Sequence, residues 1–436
     1  MSYNKYNEQK DSNIQWVGDI PTHWIISKIK HNFSFSKSTN TSLNPTILSL
    51  TLQGIKIRDI STNEGQIASS YDNYTKVFKN DIVLNPMDLI SGFVDCSPVE
   101  GVISPAYYTL KPNKCINPNY YKYYLQKHYY EKIFFPFAEG VSVDHRWTLK
   151  KEDFLNFSLI KPPIDEQKQI ANYLDKKTSK IDTTIAKNKE LIDLLEEKRT
   201  ALINQVVTKG LNQDVPIKGS EIEWIGEIPE HWDVRKLKYL TSKIGSGKTP
   251  KGGSEIYVSE GIPLLRSQNI HFDSVRWDDV VYITDEINKT MWSTIVKNHD
   301  VLLNITGASI GRCNYIENID IANVNQHVCI IRPNKTIFYK YLNYFLQSEC
   351  GQNQVFLNQN GTSREGLNFE DLSNFDIILP DYEEQIKIVS FIDNEIKKIY
   401  STISKINDSI TLLEEYKTSL IHHVVTGKID VRGEEI

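Results

Sequence analysis

The 436-residue chain lacks long apolar runs. No run reaches the roughly 18 apolar residues that a membrane-spanning helix needs, so we expect no membrane segment. The start of the chain, Met1 to Asn13, is polar and lacks the apolar core of a secretory signal, so we expect a cytoplasmic location. A length of 436 residues is too great for one hydrophobic core and predicts two to four domains.

Cysteine is also scarce. The five cysteines are odd in number, and no two have the spacing of a zinc-binding or redox pair. We therefore expect reduced thiols in the protein core rather than a disulfide framework. The adjacent His422 and His423 point in different directions on a helix, so they do not form an i, i+4 metal-binding pair.

An excess of basic residues is missing as well. The formal net charge is −5 and the isoelectric point is about 6.1. A nucleic-acid-binding face must therefore be local, or be supplied partly by a partner. The negative net charge predicts that the isolated chain binds any nucleic acid weakly, because phosphate neutralisation provides much of such affinity.

No catalytic arrangement of residues is supported. Gly245-Ser-Gly-Lys-Thr249 is similar to the end of a P-loop, but Ser242 stands where that motif has glycine, and Pro250 prevents the helix that must follow. Asn85-Pro-Met-Asp88 is partly similar to an amino-methyltransferase site, yet no glycine-rich cofactor loop accompanies it. We therefore expect a binding protein that is not an enzyme and holds no metal or cofactor of its own.

What the chain does contain is an internal repeat. Trp16-Val-Gly-Asp-Ile-Pro-Thr-His-Trp24 returns as Trp224-Ile-Gly-Glu-Ile-Pro-Glu-His-Trp232, and Leu194-Leu-Glu-Glu197 returns as Leu412-Leu-Glu-Glu415. We expect the recurring histidines of the first motif to pack or to hydrogen bond at the edge of a helix. Two similar halves indicate a molecule with pseudo-twofold symmetry, similar to a homodimer fused into one chain.

Each half divides into a mixed domain and a helix. Short apolar runs such as Ile47–Leu52 and Val328–Ile331, interrupted by glycine, proline and asparagine, predict a β-rich α+β domain. The tyrosine-rich segments Tyr120–Tyr130 and Tyr339–Leu346 predict helices. A proline followed by Glu-Gln predicts the start of each long helix. The predicted boundaries are 1–160 and 216–379 for the two domains, and 161–215 and 380–436 for the two helices.

Both helical segments carry a heptad seam, in which apolar residues recur at alternating steps of three and four. A helix from Asp165 to Lys209 is roughly 65 Å long at ~1.5 Å per residue, which favours an antiparallel coiled coil with one domain at each end. Two separate amphipathic helices are the alternative. Thr178, Asn188, Arg199 and Lys417 interrupt the seam. Its apolar members are Leu174, Ile181, Ile185, Ile192, Leu195, Leu202, Ile392, Ile396, Ile399, Ile403, Ile406, Ile410, Leu413 and Leu420.

Taken together, these motifs make the chain similar to the specificity subunits of type I restriction-modification systems. The resemblance covers essentially the whole chain. It rests on the repeated Trp motif, on Thr249-Pro250, on the segments Asn304–Arg312 and Asn325–Asn334, and on the Pro-x-x-Glu-Gln helix starts, of which the second, Pro380–Gln385, is one residue longer.

The resemblance implies two target-recognition domains that each read half of a bipartite double-stranded DNA site, with the helices setting the spacer. It implies two methyltransferase subunits, which carry S-adenosylmethionine and methylate adenine N6, and two restriction subunits that use ATP and magnesium. Such systems serve in phage defence. Because the two domains differ, we expect an asymmetric, non-palindromic target.

Residues that contact DNA are expected among Arg, Lys, Asn, Gln and Tyr on loops. The candidates in the first domain are Lys56, Arg58, Tyr71, Tyr74, Lys76 and Arg146, and those in the second are Lys248, Lys251, Arg266, Gln268, Asn269, Arg312, Gln326 and Arg364. Two alternatives stay open: a protein-binding scaffold that does not select DNA sequences, and an enzyme that uses Lys248 or Asn85.

Overall fold

The structure, a computed structural model, describes residues 4–61, 68, 70–90, 92–140, 147–222, 224–250, 252–360 and 366–434. The chain divides into two compact units. Unit 1 comprises Met1–Lys189 and Asn407–Ile436, and unit 2 comprises Glu190–Ile406. Among the described residues, no helix combines the length and the apolar composition needed to cross a membrane.

Unit 1 is built on a four-stranded antiparallel sheet in the order Phe33–Phe35, Tyr108–Pro112, Ile82–Leu84 and Val94–Cys96. The predicted tyrosine-rich helix is confirmed and spans Pro118–Tyr130. It begins where the Asn117 side chain accepts a hydrogen bond from the Tyr120 amide, with proline at the first helical position. Its tyrosines supply much of the main core of the unit.

Smaller elements surround this sheet, and two of their strand pairs enclose a second, smaller core of Leu48, Ile55, Val77, Val83 and Ile103. The strand pairs are Gln9–Asp11 with Asp19–Pro21, Ile25–Lys28 with Ser158–Lys161, Leu48–Thr51 with Gly54–Ile57, Thr75–Val77 with Gly101–Ile103, and Ala138–Glu139 with Thr148–Leu149; the short helices are Ile29–Asn32, Phe135–Phe137 and Lys151–Asn156.

Unit 2 repeats this plan and adds a sheet. Its first sheet has the order Thr241–Ser246, Val328–Pro333, Val301–Asn304 and Cys313–Tyr315, with all neighbours antiparallel as in unit 1. The added sheet has the order Val281–Ile283, Ile262–Leu265, Ala322–Val324 and Ile295–Val296, with a parallel central pair. The predicted β-rich α+β class is confirmed in both units.

The other elements of unit 2 again include an N-terminal hairpin and a closing strand pair. The strand pairs are Ile217–Gly219 with Glu227–Pro229, Asp233–Lys236 with Asp376–Leu379, and Gln359–Asn360 with Gly366–Leu367; the helices are Leu237–Leu240, Asp285–Thr290, Tyr339–Gln347, Glu349–Leu357 and Phe369–Ser373, with 3₁₀ turns at Gly253–Ile256, Ser267–Asn269, Trp292–Thr294 and Gly307–Ser309.

The first long helix spans Ile164–Lys209 and the second spans Tyr382–Val425, as the Glu-Gln starts predict. In unit 1 the Lys417 ammonium lies 2.6 Å from an Asp182 carboxylate oxygen. In unit 2 burial raises the pKa of Tyr400, and the nearby Arg199 opposes that rise. In unit 1 the Glu166 carboxylate, at the start of the first helix, also lies 3.8 Å from Arg432, beyond the end of the second, so the two helices pair antiparallel.

Burial follows the predicted heptad seam. Half of the apolar seam residues are buried and the others are half-buried, whereas positions between them, such as Asp193 and Lys405, are exposed. The buried members are Leu174, Ile181, Ile185, Ile392, Ile399, Ile410 and Leu420, and the half-buried members are Ile192, Leu195, Leu202, Ile396, Ile403, Ile406 and Leu413. This burial and the antiparallel contacts confirm the predicted pairing of the two helices.

The five cysteines are all free thiols. Cys313, Cys329 and Cys350 are buried, as expected of core residues, and Cys96 is half-buried. The expectation of a core position is wrong for Cys115, which is exposed. It lies in the turn between the last strand of the unit 1 sheet and the tyrosine-rich helix, where its amide is bound by the Asn113 side chain.

Candidate DNA-contacting surfaces

In unit 1 the repeated Trp motif joins the start of the first long helix. The Trp24 indole donates a hydrogen bond of 3.1 Å to Glu166, and the His23 Nε2 lies 2.8 Å from the same carboxylate. Trp24 is fully buried, and Glu166 is only 5% exposed. The neighbouring Gln167 side chain donates to the Pro162 carbonyl and accepts from the Asn117 amide. The Trp motif and the Glu-Gln motif therefore form one joint.

Unit 2 contains the same joint at the start of the second long helix. The Trp232 indole donates to Glu384 over 2.9 Å, and the His231 Nε2 lies 3.0 Å from that carboxylate. Gln385 donates to the Pro380 carbonyl and accepts from the Phe338 amide. The expected helix-edge hydrogen bond of the two histidines is confirmed. In each unit this joint holds the domain at a defined place on a long helix.

A second repeated contact holds each domain farther along its helix, and sequence reasoning missed it. The Tyr123 hydroxyl donates to Asp175 over 2.7 Å, and Tyr344 donates to Asp393. Arg199, which interrupts the seam, donates to the Gln347 side chain. The signal was present in the sequence as tyrosines at matching positions of the repeated helices, beside aspartates at matching positions of the long helices.

At one end of unit 2, loops from both sheets come together. The strand register pairs Ser246 with Cys329, Asn304 with Val328, and Leu303 with Cys313, so the loops beyond these residues leave the first sheet at the same end. The parallel strands of the added sheet also end there, and the Asn325 amide donates to the Leu265 carbonyl. Six candidate residues lie on these loops: Lys248, Arg266, Gln268, Asn269, Arg312 and Gln326.

Asn304 connects two of these loops. Its side-chain amide donates to the Ser267 carbonyl over 2.8 Å and to the Ser309 hydroxyl over 3.1 Å. The first contact positions the turn that carries Gln268, and the second positions the turn that precedes Arg312. The sequence singled out Asn304 as part of a motif, and the structure gives it this positioning role.

The candidates on the loop after Leu265 have different surroundings. Gln268 is exposed and donates to the Asp279 carboxylate. Arg266 is half-buried, with its guanidinium 6.0 Å from the centre of the Tyr257 ring. Asn269 is fully buried and uses its amide within the loop, accepting from the Arg266 amide and donating to the Arg276 and Asp279 carbonyls. Asn269 therefore shapes the loop, and we remove it from the residues expected to contact DNA.

The candidates of unit 1 lie on or beside the strand pairs around the small core. Lys56 is exposed on the strand Gly54–Ile57 and donates to Gln53. Lys76 lies on the neighbouring pair, and its ammonium donates to the Thr41 hydroxyl. Tyr71 and Tyr74 pack edge to face with ring centroids 5.0 Å apart. The half-buried Arg58 follows the first strand pair, and its amide donates to the Ile47 carbonyl.

Three further candidates, Arg146, Lys251 and Arg364, lie outside the described residues. Within the described ranges, no group of three or more His, Cys, Asp or Glu side chains is arranged to hold a metal ion. The P-loop-like segment leads into a 3₁₀ turn at Gly253–Ile256 and not into a regular helix, as Pro250 predicts.

Comparison with known proteins identifies a family. Residues 12–193 and 229–412 each match the model of the type I restriction modification DNA specificity domain. The chain is 26% identical over 371 residues to the type I restriction enzyme MjaVIII specificity subunit of Methanocaldococcus jannaschii, covering 83% of each chain. It is 24% identical over 457 residues to the EcoBI specificity subunit of Escherichia coli, covering 98% of this chain and 91% of that one.

Solved structures share the fold. A chain from a study of the assembly and conformational transition of a type I R-M system aligns over 93% of this chain and 98% of its own length, with a TM-score of 0.68 and 13% identity. The HsdS subunit from Thermoanaerobacter tengcongensis aligns over 94% and 98%, with a TM-score of 0.50 and 13% identity.

Proposed function

Because the chain belongs to the type I restriction-modification DNA specificity family, we propose that unit 1 and unit 2 each read one half of a bipartite DNA site. The chain is a DNA sequence-recognition subunit and is not itself an enzyme. The two family matches fall in the two halves of the internal repeat, so one reading domain for each half-site is the simplest assignment.

The observation that carries this proposal is the meeting of loops at one end of unit 2. Lys248, Gln268 and Gln326 are exposed there, on loops that leave two sheets at the same end. Arg and Gln side chains make bidentate contacts with guanine and adenine in the major groove, and lysine neutralises phosphates. Asn304 and Asn269 hold the loop that carries Gln268, so this side chain is presented from a supported surface.

In unit 1 we assign DNA contact to the strand pairs around the small core. Lys56 and Lys76 provide positive charge, and Tyr71 and Tyr74 provide aromatic faces. The groups differ in kind from those of unit 2, which supports a target with two different half-sites.

The partners follow from the same assignment. We propose that the chain binds two methyltransferase subunits, which hold S-adenosylmethionine, and two restriction subunits, which use ATP and magnesium, in the cytoplasm. The net charge of −5 supports an assembly in which the partners provide part of the positive surface for DNA. The paired long helices are the element that we propose sets the spacer between the half-sites.

The test is base-resolution mapping of methylated adenines in DNA treated with the complex assembled from this chain and its methyltransferase partner. We expect one asymmetric bipartite sequence with a constant spacer. Random methylation, or none that depends on this chain, would favour the scaffold alternative.

Variants assign each half-site to a unit. The double variant Lys56→Ala, Lys76→Ala is expected to weaken DNA binding through unit 1. Arg266→Ala is expected to weaken DNA binding through unit 2. Loss of a base-contacting arginine costs about 1–3 kcal/mol of binding free energy and relaxes the sequence preference at one base pair. The matched controls are Lys114→Ala and Lys335→Ala. These exposed lysines follow the equivalent strands of the two units, at the sheet ends away from the proposed surfaces.

A further inference from the structure

A series of side-chain hydrogen bonds links three loops at the reading end of unit 2. The Thr249 hydroxyl donates to the Gln326 amide oxygen. The Gln326 amide nitrogen lies 2.9 Å from His327 Nε2, and His327 Nδ1 lies 2.6 Å from the Thr306 hydroxyl oxygen. We call Thr249, Gln326, His327 and Thr306 the relay. Sequence reasoning treated these residues as parts of three separate motifs.

The relay has one consistent direction. The amide nitrogen of Gln326 donates, so His327 Nε2 accepts, which leaves His327 Nδ1 to donate to the Thr306 oxygen. The acceptor atoms of the relay are thereby used internally, while the second N–H of Gln326 and the hydroxyl proton of Thr306 remain to donate elsewhere.

The relay is held by backbone that leaves little freedom. A Cβ on Gly247 would lie 1.8 Å from the Val324 carbonyl oxygen, so only glycine lets the Thr249 loop approach the Gln326 loop this closely. The Ile305 amide donates to the His327 carbonyl over 3.0 Å. Gln326 is exposed, yet both its amide oxygen and its amide nitrogen are hydrogen bonded. Little side-chain entropy therefore remains to be lost when it binds a partner.

We propose that the relay, together with the exposed Lys248 that directly precedes Thr249 in the chain, binds a phosphate of the DNA backbone. A phosphate accepts hydrogen bonds and does not donate them, so it matches the remaining donors, and the lysine matches its charge. The relay thus positions the duplex on unit 2 and does not identify a base. This inference rests on the proposed function, since it assumes that this end of unit 2 faces DNA.

Among the described residues of unit 1, the equivalent positions do not form such a relay. The strand register that pairs Leu303 with Cys329 in unit 2 pairs Leu84 with Tyr108 in unit 1. The positions equivalent to Gln326 and His327 are therefore Pro105 and Ala106, which have no donor side chain. The proposed phosphate contact belongs to one half of the target only.

The experiment uses the assembled methyltransferase complex and two duplexes of equal length, one with the mapped target and one of unrelated sequence. Dissociation constants are measured over a range of salt concentrations for the wild type, Lys248→Ala, Gln326→Ala and Thr249→Val, with Lys335→Ala as the matched control. Both Lys248→Ala and Gln326→Ala are expected to weaken binding to both duplexes by the same factor, about tenfold at low salt.

Lys248→Ala is also expected to reduce the slope of log affinity against log salt by about one. Thr249→Val keeps Gln326 but removes its anchor, so it should cause a smaller loss in the same direction, equal on both duplexes. A loss confined to the target duplex would overturn the proposal and make Gln326 a base-reading residue. Unchanged binding by Lys248→Ala and Gln326→Ala would overturn it as well.

Failure of the proposed function has a different signature. In that case the wild-type complex would not distinguish the target duplex from the unrelated one, whatever the variants do. Lys248 and Gln326 are exposed, so neither alanine substitution is expected to affect folding, and thermal unfolding of each variant provides the check.

Discussion

Glu166 and Glu384 are single residues on which the attachment of each domain depends. Each accepts a hydrogen bond from a buried tryptophan indole that arrives from a distant part of the sequence. The sequence shows the Trp and Glu-Gln motifs, and from their repetition it predicts that each matters. That the two motifs touch could not be predicted, because the intervening domain that brings them together has no regular sequence pattern.

Replacing Glu166 tests this attachment. Glu166→Ala leaves the Trp24 indole buried without its acceptor, so we expect the free energy of unfolding to fall by about 1–3 kcal/mol. The matched control is Asp165→Ala, because Asp165 is 83% exposed and its salt bridge to Lys168 lies on the surface. Urea unfolding of the two variants measures the difference. Equal losses would show that the Glu166 carboxylate does not support the joint.

His128 predicts a pH dependence. Burial lowers the pKa of His128 to about 3, with the Lys127 charge acting in the same direction, and its Nδ1 lies 2.6 Å from the Tyr124 carbonyl oxygen. The unfolded chain binds a proton near pH ~6.5, and the folded chain does not until about pH 3. Unfolding therefore takes up a proton between these values, so the protein loses stability as the pH falls from neutral toward 3.

Urea unfolding at pH 7.5 and pH 5 checks this expectation. His128→Phe keeps an aromatic ring beside Phe134 and Phe157 and should lessen the loss of stability between the two pH values. His31→Phe, at an exposed position, is the control and should leave the pH dependence as in the wild type. A pH dependence unchanged by His128→Phe would contradict the assignment.

At the scale of elements, the long helices were the part best predicted from sequence. A heptad seam reports directly which face is buried, because helical periodicity is local. The roles of the polar residues within the seam could not be predicted in the same way. The Thr178 hydroxyl shares a hydrogen bond with the Tyr123 hydroxyl, and the Arg199 guanidinium donates to the Gln347 side chain. These two polar seam residues therefore bind the domains. Those partners come from elsewhere in the chain and leave no periodic signal.

The helices also give the sharpest test of the spacer. Deleting residues 186–192 and 407–413 removes one heptad from each helix at the register defined by the Asp182–Lys417 ion pair. Seven residues at ~1.5 Å correspond to about 10 Å, or about three base pairs at ~3.4 Å. We expect methylation mapping to show a shorter spacer between unchanged half-sites. Changed half-sites would contradict the proposal.

A deletion in only one helix is the matched control. It makes one helix seven residues shorter than its partner, so the two helices can no longer pair along their whole length while each domain keeps its contacts with both of them. This variant should unfold more readily than the wild type, whereas the paired deletion keeps the seam intact.

At the scale of the molecule, the repeat conceals a difference between the halves. Both units share the N-terminal hairpin, the closing strand pair and the order of the first sheet. Unit 2 has a second four-stranded sheet where unit 1 has two strand pairs that are joined by a single parallel bridge between Ile47 and Val102. The sequence indicates divergence between the repeated motifs. The second sheet of unit 2 could not be predicted from the sequence, because short apolar runs do not specify which strands will pair.

The closing strand pairs predict that the two domains are exchangeable between specificity subunits. Residues 237–375 leave and return through the adjacent strands Asp233–Lys236 and Asp376–Leu379, and residues 29–157 do so through Ile25–Lys28 and Ser158–Lys161. Replacing residues 237–375 with the corresponding segment of another specificity subunit should change one half-site and leave the other and the spacer unchanged. Methylation mapping of the chimaera checks this, and a change in both half-sites would contradict it.

The division of the chain into units also affects the order in which the units can fold during synthesis. Unit 2 is one continuous segment, whereas the core of unit 1 includes Leu420, Val424 and Ile429, and Gly427 packs against Trp24. A ribosome makes residues in order, and domains usually fold as they emerge. Most of unit 1 is synthesised before unit 2, but its core cannot be completed until these late residues have been made. Unit 2 is therefore the first of the two units that can fold completely.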